Sequence, residues 1–167
     1  MKWVTRRFVH VDRTATAWLI KKFIDKGAEF VFIDYPREQP KPEHGTPFDI
    51  KGVELGHKNG KCTFEVVMEK YKVEDLFVKK VAEVVHAADI EGELHKVPEA
   101  AGILALFTGL RLIAKNDLEA LEIGFKVWDS LYAYFKAQEI KEKFKDKLKE
   151  LDRIARIEFL RSQLAST

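Results

Sequence analysis

Four residues in the middle of the chain have the types and spacing to grip a metal ion. His57 and Glu65 flank an Asn59-Gly60 turn, and His86 and Asp89 stand three apart on a predicted helix, so the second pair shares one helical face. Two imidazoles and two carboxylates suit Zn, Mn or Fe(II), whereas Mg or Ca takes more oxygen ligands. Each residue also has an ordinary use. Glu65 falls in the first turn of its helix, where the dipole favours a carboxylate, and His86 borders the apolar stripe Val81, Val84 and Val85. Asp89 can end its helix against solvent. Cys62, the single cysteine, is close enough in sequence to add a fifth ligand or to support the others, and equally suits a small core position.

A second group lies near the start of the chain. If a strand alternates through residue 12, Arg6, His10 and Asp12 project to one side, and Arg13 joins them from a helix start whose free N–H groups favour an anion. Such a group can hold a tetrahedral oxyanion or orient a metal-bound substrate, with Asp12 and Arg13 handling protons and charge. The competing role is an Asp12 helix cap paired with Arg13.

The elements that must position these residues follow from hydrophobic spacing. Residues 3 to 9 alternate as a strand, and from Thr14 the spacing of Ala15, Trp18, Leu19, Phe23 and Ile24 turns helical, with Asp12 at the expected N-cap and Gly27 past the end. Phe30 to Ile33 reads as a strand buried on both faces, which makes a strand, helix, strand unit with a parallel crossover. Residues 35 to 47 hold four prolines and Gly45 and read as a loop, and Phe48 to Leu55 as a short strand or hairpin arm. Helices then dominate. Thr63 caps one that runs to about Tyr71, Glu74 and Asp75 begin another whose buried face carries Leu76, Val81, Val84, Val85 and Ala88, and Pro98 opens a third that is apolar nearly all round and so is expected at the centre. A fourth carries Leu118, Leu121, Phe125, Trp128, Tyr132 and Phe135 inward, and Gln138 to Leu164 reads as one charged amphipathic helix. His44 and His95 fall in loops and are expected at the surface. The expected class is α+β, predominantly helical, with a small, partly parallel sheet and a long C-terminal helix.

Composition narrows the partners. The 167 residues are 46% hydrophobic and 34% charged, so the chain can fill a core and is no disordered tract. A net charge of +2 argues against a nucleic-acid footprint for this chain alone, and the uncharged run Ala100 to Leu110 is too short to span a bilayer. One cysteine permits no intrachain disulfide or dithiol chemistry, and Met1 to Phe8 contains Arg6 and Arg7 but no apolar signal core, so a cytoplasmic setting is expected. The ionic C-terminal segment offers a surface for a homo-oligomer.

Several motifs in order then point to a family. Trp3-Val4-Thr5-Arg6, Val11-Asp12-Arg13, Ala17-Trp18-Leu19-Ile20 and Phe23-Ile24-Asp25 are followed by Gly56-His57, Cys62-Thr63-Phe64-Glu65, Val85-His86-Ala87-Ala88-Asp89, Pro98-Glu99-Ala100-Ala101-Gly102 and Asp129-Ser130-Leu131-Tyr132-Ala133. The set resembles the C-terminal domain family of the chromate-resistance protein ChrB, from about residue 2 to 136. On that basis residues 1–136 are expected to form the ChrB C-terminal-like domain and 137–167 a charged helical extension. The resemblance implies an association with chromate resistance, and longer members are described as chromate-responsive regulators. It implies no particular reaction. Its blocks include His57, Glu65, His86 and Asp89, which strengthens the metal reading. Three functions remain open: a metal-binding domain, enzymatic or not, acting on a small oxyanion or metal-bound small molecule; a non-catalytic oxyanion sensor; and a structural interaction module.

Overall fold

The computed structural model describes residues 1–166. Its sheet has three parallel strands in the order β2-β1-β3, formed by β1 (Lys2–Arg6), β2 (Glu29–Ile33) and β3 (Thr46–Pro47). Seven α-helices follow among the described residues: α1 (Val11–Leu19), α2 (Thr63–Lys70), α3 (Leu76–Asp89), α4 (Ala100–Ile113), α5 (Asp117–Lys143), α6 (Lys145–Lys149) and α7 (Arg153–Ala165). This is the α+β class expected from the pattern, mostly helical with a small parallel sheet. No helix among the described residues is long and apolar enough to cross a membrane.

β1 is the middle strand, and its alternation sends side chains into two separate cores. Trp3 packs with the helices, while Val4 joins Ile33 and Ile50 on the opposite face. β2 is less enclosed than its apolar run suggests: only Ile33 is fully buried, because the strand lies at the sheet edge. β3 was hidden by its prolines. A two-residue strand can include Pro47 because an edge position needs few N–H donors. Gly45 makes its approach feasible, since the residue has φ +96° and a Cβ there would lie 2.2 Å from the Lys2 carbonyl oxygen. The segment expected as a hairpin arm, 48 to 55, forms only a single parallel bridge between Phe48 and Leu55, with Asp49 in the left-handed region at φ 49°.

The helix at the centre is α1, not α4. Every α1 residue except Arg13 is buried, because its small Thr and Ala side chains let α2, α3, α4 and α5 approach it. Its polar groups are satisfied from outside: the Trp128 indole donates to the Thr14 hydroxyl at 3.1 Å, and the Trp18 indole donates to Asp129 at 3.0 Å. A π-helical turn, Ile20–Ile24, continues α1. α4 buries only Ala100, Ile103, Phe107 and Leu110, leaving Leu106, Leu112 and Ile113 exposed. Its all-round hydrophobicity therefore marks an uncovered face, not a central position. The C-terminal segment is three helical pieces instead of one. α5 ends at Lys143 and α7 folds back so that Phe159 meets Phe144 edge to face.

Candidate metal centre

Asp12 is the hub of the site, although it does not cap its own helix. The α1 N-cap is His10, with no side-chain cap bond, and Asp12 sits in the first turn, 2% exposed. Its carboxylate instead reaches the start of α2, accepting the backbone N–H groups of Thr63 at 2.7 Å and Phe64 at 2.8 Å. Thr16 adds its hydroxyl at 3.2 Å. The free N–H groups of a helix start are natural partners for a carboxylate, here supplied by a neighbouring helix. The N-cap of α2 is Cys62 rather than Thr63, whose hydroxyl donates to Asp49 at 3.0 Å.

His57 brings the carboxylates together. Its Nε2 lies 3.1 Å from Asp12, 3.2 Å from Asp89 and 3.5 Å from Asp49. The ring is half-exposed, while Asp12 and Asp49 are buried. This crowding displaces the protonation equilibria. The Asp12 hydrogen bond, aided by the nearby carboxylate charges and opposed by burial, raises the His57 pKa to about 9. Burial and the Asp12 charge push Asp89 up to about 7, and the same two causes raise Asp49. Two arginines answer Asp49: Arg13 Nε at 2.9 Å and Arg6 at 3.2 Å. Arg13 also donates to the carbonyls of Arg6, Arg7 and Phe8, fixing the turn between β1 and α1.

The four residues singled out for a metal fall into two neighbouring groups. Asp12, His57 and Asp89 offer ligand atoms within 4.8 Å of one another, and Cys62, Glu65 and His86 form a second set within the same limit. His86 and Asp89 share the helix face expected of them but serve different partners. His86 Nδ1 lies 2.7 Å from Glu65, whose carboxylate also accepts the Cys62 N–H at 3.0 Å. The Cys62 thiol is fully buried, and burial followed by the Asp12 charge moves its pKa upward, away from the thiolate. Among the rest, Arg6 and Arg13 meet at Asp49, whereas His10 turns away to Thr108, 3.1 Å from its Nε2. The alternation that would have kept His10 beside Arg6 and Asp12 ends at Arg6, and Phe8 adopts φ 58°. His44, expected at the surface without a partner, is mostly covered and stands 3.7 Å from Glu38; His95 is exposed.

Asp49 was missed because it lies in an irregular segment, with no periodic pattern to place it. Its only signal was an aspartate between the apolar Phe48 and Ile50. Lys51 was missed for the same reason: with Arg6, Asp49 and His57 it lines an open cleft of about 270 Å³.

A parallel three-stranded sheet feeding a buried helix, with an acid and histidine cluster at the junction, defines a small α+β domain built around a polar centre. Residues 3–135 match the model of the ChrB C-terminal domain, and the chain belongs to that family, which is associated with chromate resistance. It is similar to Protein ChrB of Cupriavidus metallidurans, at 36% identity over 136 residues, covering 80% of this chain and 40% of that protein. The chain therefore spans less than half the length of its curated relative. No solved structure matches it.

Proposed function

We propose that this chain is a metal-binding domain serving chromate resistance, with a divalent Zn, Mn or Fe ion held by Asp12, His57 and Asp89. The observation that carries this reading is the convergence of those three side chains, from three separate segments, within 4.8 Å. One imidazole and two carboxylates form a mixed nitrogen and oxygen donor set, the chemistry such ions accept. The raised pKa of Asp89 agrees with a site short of positive charge, which a cation would supply. When bound, such an ion acidifies coordinated water and polarises oxygen ligands. The chain's own residues would then do the rest. Arg13 holds Asp49 in place, Arg6 extends the positive charge to the cleft, and the α2 amides fix the orientation of Asp12. The Cys62, Glu65 and His86 set braces the α2 start from the other side through the Cys62 N–H bond. The domain would work in the cytoplasm, on a small oxyanion or a metal-bound small molecule.

A second reading rests on the cleft itself. Arg6, Lys51 and a largely protonated His57 line it together, which suits an oxyanion sensor without catalysis. Elemental analysis of protein purified without a metal-affinity tag separates the two. Stoichiometric metal in the parent, lost in His57→Ala and Asp89→Asn, supports the first. Metal-free parent protein that binds chromate, with loss in Arg6→Ala, supports the second and overturns the first.

A further inference from the structure

A further cleft of about 270 Å³ opens between the β1–α1 turn and the connection from α4 to α5. Its charged lining is Arg7, Arg111, Lys115 and Asp117, and its apolar lining includes Phe8 and Phe32. Three cations face one carboxylate, and that carboxylate is already engaged, accepting the Val9 N–H at 2.8 Å. Lys115 has Glu119 at 3.7 Å. The two guanidinium groups have no such neighbour. Among the described residues no carboxylate lies within 4 Å of Arg7 or Arg111, and Arg111 Nε is buried without a hydrogen-bond partner.

The turn that forms the near wall is held open in an unusual way. Phe8 has φ 58° and is 60% exposed, an arrangement that a bulky residue adopts only when its surroundings impose it. Arg13 imposes it by donating to three successive carbonyls, and Asp117 by holding the next N–H. The Arg7 guanidinium lies 5.1 Å from the Phe8 ring centre, so a cation and an aromatic face are presented together. The positive field extends to His10, whose pKa is lowered to about 4 by burial first and then by the Arg111 and Arg13 charges.

We propose that this cleft is a second ligand site, distinct from the metal centre, for a small organic oxyanion: a phosphomonoester or carboxylate carrying a flat apolar group. The forked donors of Arg7 and Arg111 match the oxyanion, and Phe8 and Phe32 match the apolar body, which a bare tetrahedral ion would leave unused. The volume falls just below the range of about 300–1,000 Å³ for small-molecule pockets, which limits the ligand to a compact one.

The test is calorimetric titration of the full chain with phenyl phosphate, alongside inorganic phosphate and benzoate. Phenyl phosphate should bind one per chain, and Arg7→Ala and Arg111→Ala should each weaken it by about tenfold or more. Phe8→Ala should weaken phenyl phosphate and leave the inorganic ion unchanged, and His57→Ala and Asp89→Asn should bind as the parent does. Arg7 is exposed, so its variant tests the site even if Arg111→Ala lowers the melting temperature. Benzoate binding lost in the same variants extends the site to carboxylates; benzoate that ignores the cleft restricts it to phosphomonoesters and overturns the carboxylate half. Absence of saturable phenyl phosphate binding in the millimolar range overturns the proposal. So does equal affinity in Arg7→Ala, inorganic phosphate binding as tightly as phenyl phosphate, or loss in His57→Ala instead.

Discussion

Replacing Asp89 with asparagine should make the metal-free protein more stable while removing its capacity for metal. Asp89 ionises near pH 7 in the folded chain against 3.8 in an isolated side chain, because it is buried beside Asp12 and Asp49. Since the folded-state pKa lies above the unfolded one, the proton supports the fold at low pH. The penalty for losing it grows as pH rises from about 4 to 7. Once both states are ionised, that penalty is about 4 kcal/mol. An asparagine carries no charge but must bury an amide in an imperfect setting, at a cost of about 1–3 kcal/mol. The net gain is therefore about 2 kcal/mol at pH 8, or roughly 4–8 °C for a chain of this size. At pH 5 the two effects nearly cancel, so the variant and parent should melt together. The assay is thermal unfolding of both proteins with a chelator at pH 5 and pH 8, repeated with added Mn or Zn. Metal should raise the parent's melting temperature, by about 2.7 kcal/mol at a hundredfold excess over Kd, and leave the variant unmoved. A variant less stable than the parent at pH 8, or a difference independent of pH, would refute the argument that Asp89 is held there against electrostatic cost.

Two further substitutions probe the framework. Asp12→Ala strands the Thr63 and Phe64 N–H groups and leaves His57 without its nearest carboxylate, so urea unfolding should show a loss of roughly 3–5 kcal/mol with an unchanged m-value. Gly45→Ala places a Cβ against the Lys2 carbonyl and should unpair β3 from β1, seen as faster hydrogen exchange at Phe48, whose N–H donates to the Val4 carbonyl.

The strand, helix, strand opening and the starts of α2 and α3 were legible because each rests on local spacing, and Asp75 does cap α3 through the N–H groups of Phe77 and Val78. The centre of the fold was not. Hydrophobicity pointed to α4, yet what makes a helix central is the room its small side chains leave for neighbours, and α1 has Thr14, Ala15, Thr16 and Ala17 in succession. At the candidate site, the types of the residues were readable and their partnerships were not. His86 and Asp89 share a face three residues apart, but Glu65 from α2 draws one away and His57 from an irregular segment draws the other. Asp49 carried no periodic signal because a left-handed residue in a bridge-like turn belongs to no pattern.

Asp12 reaches across to the amides of Thr63 and Phe64, so the state of the candidate centre is written into the backbone of another helix. Those two amide protons exchange with solvent only when the carboxylate lets go. Anything that draws Asp12 toward His57, a proton or a cation, trades against their protection, and the start of α2 becomes a clock whose rate reports what the centre holds.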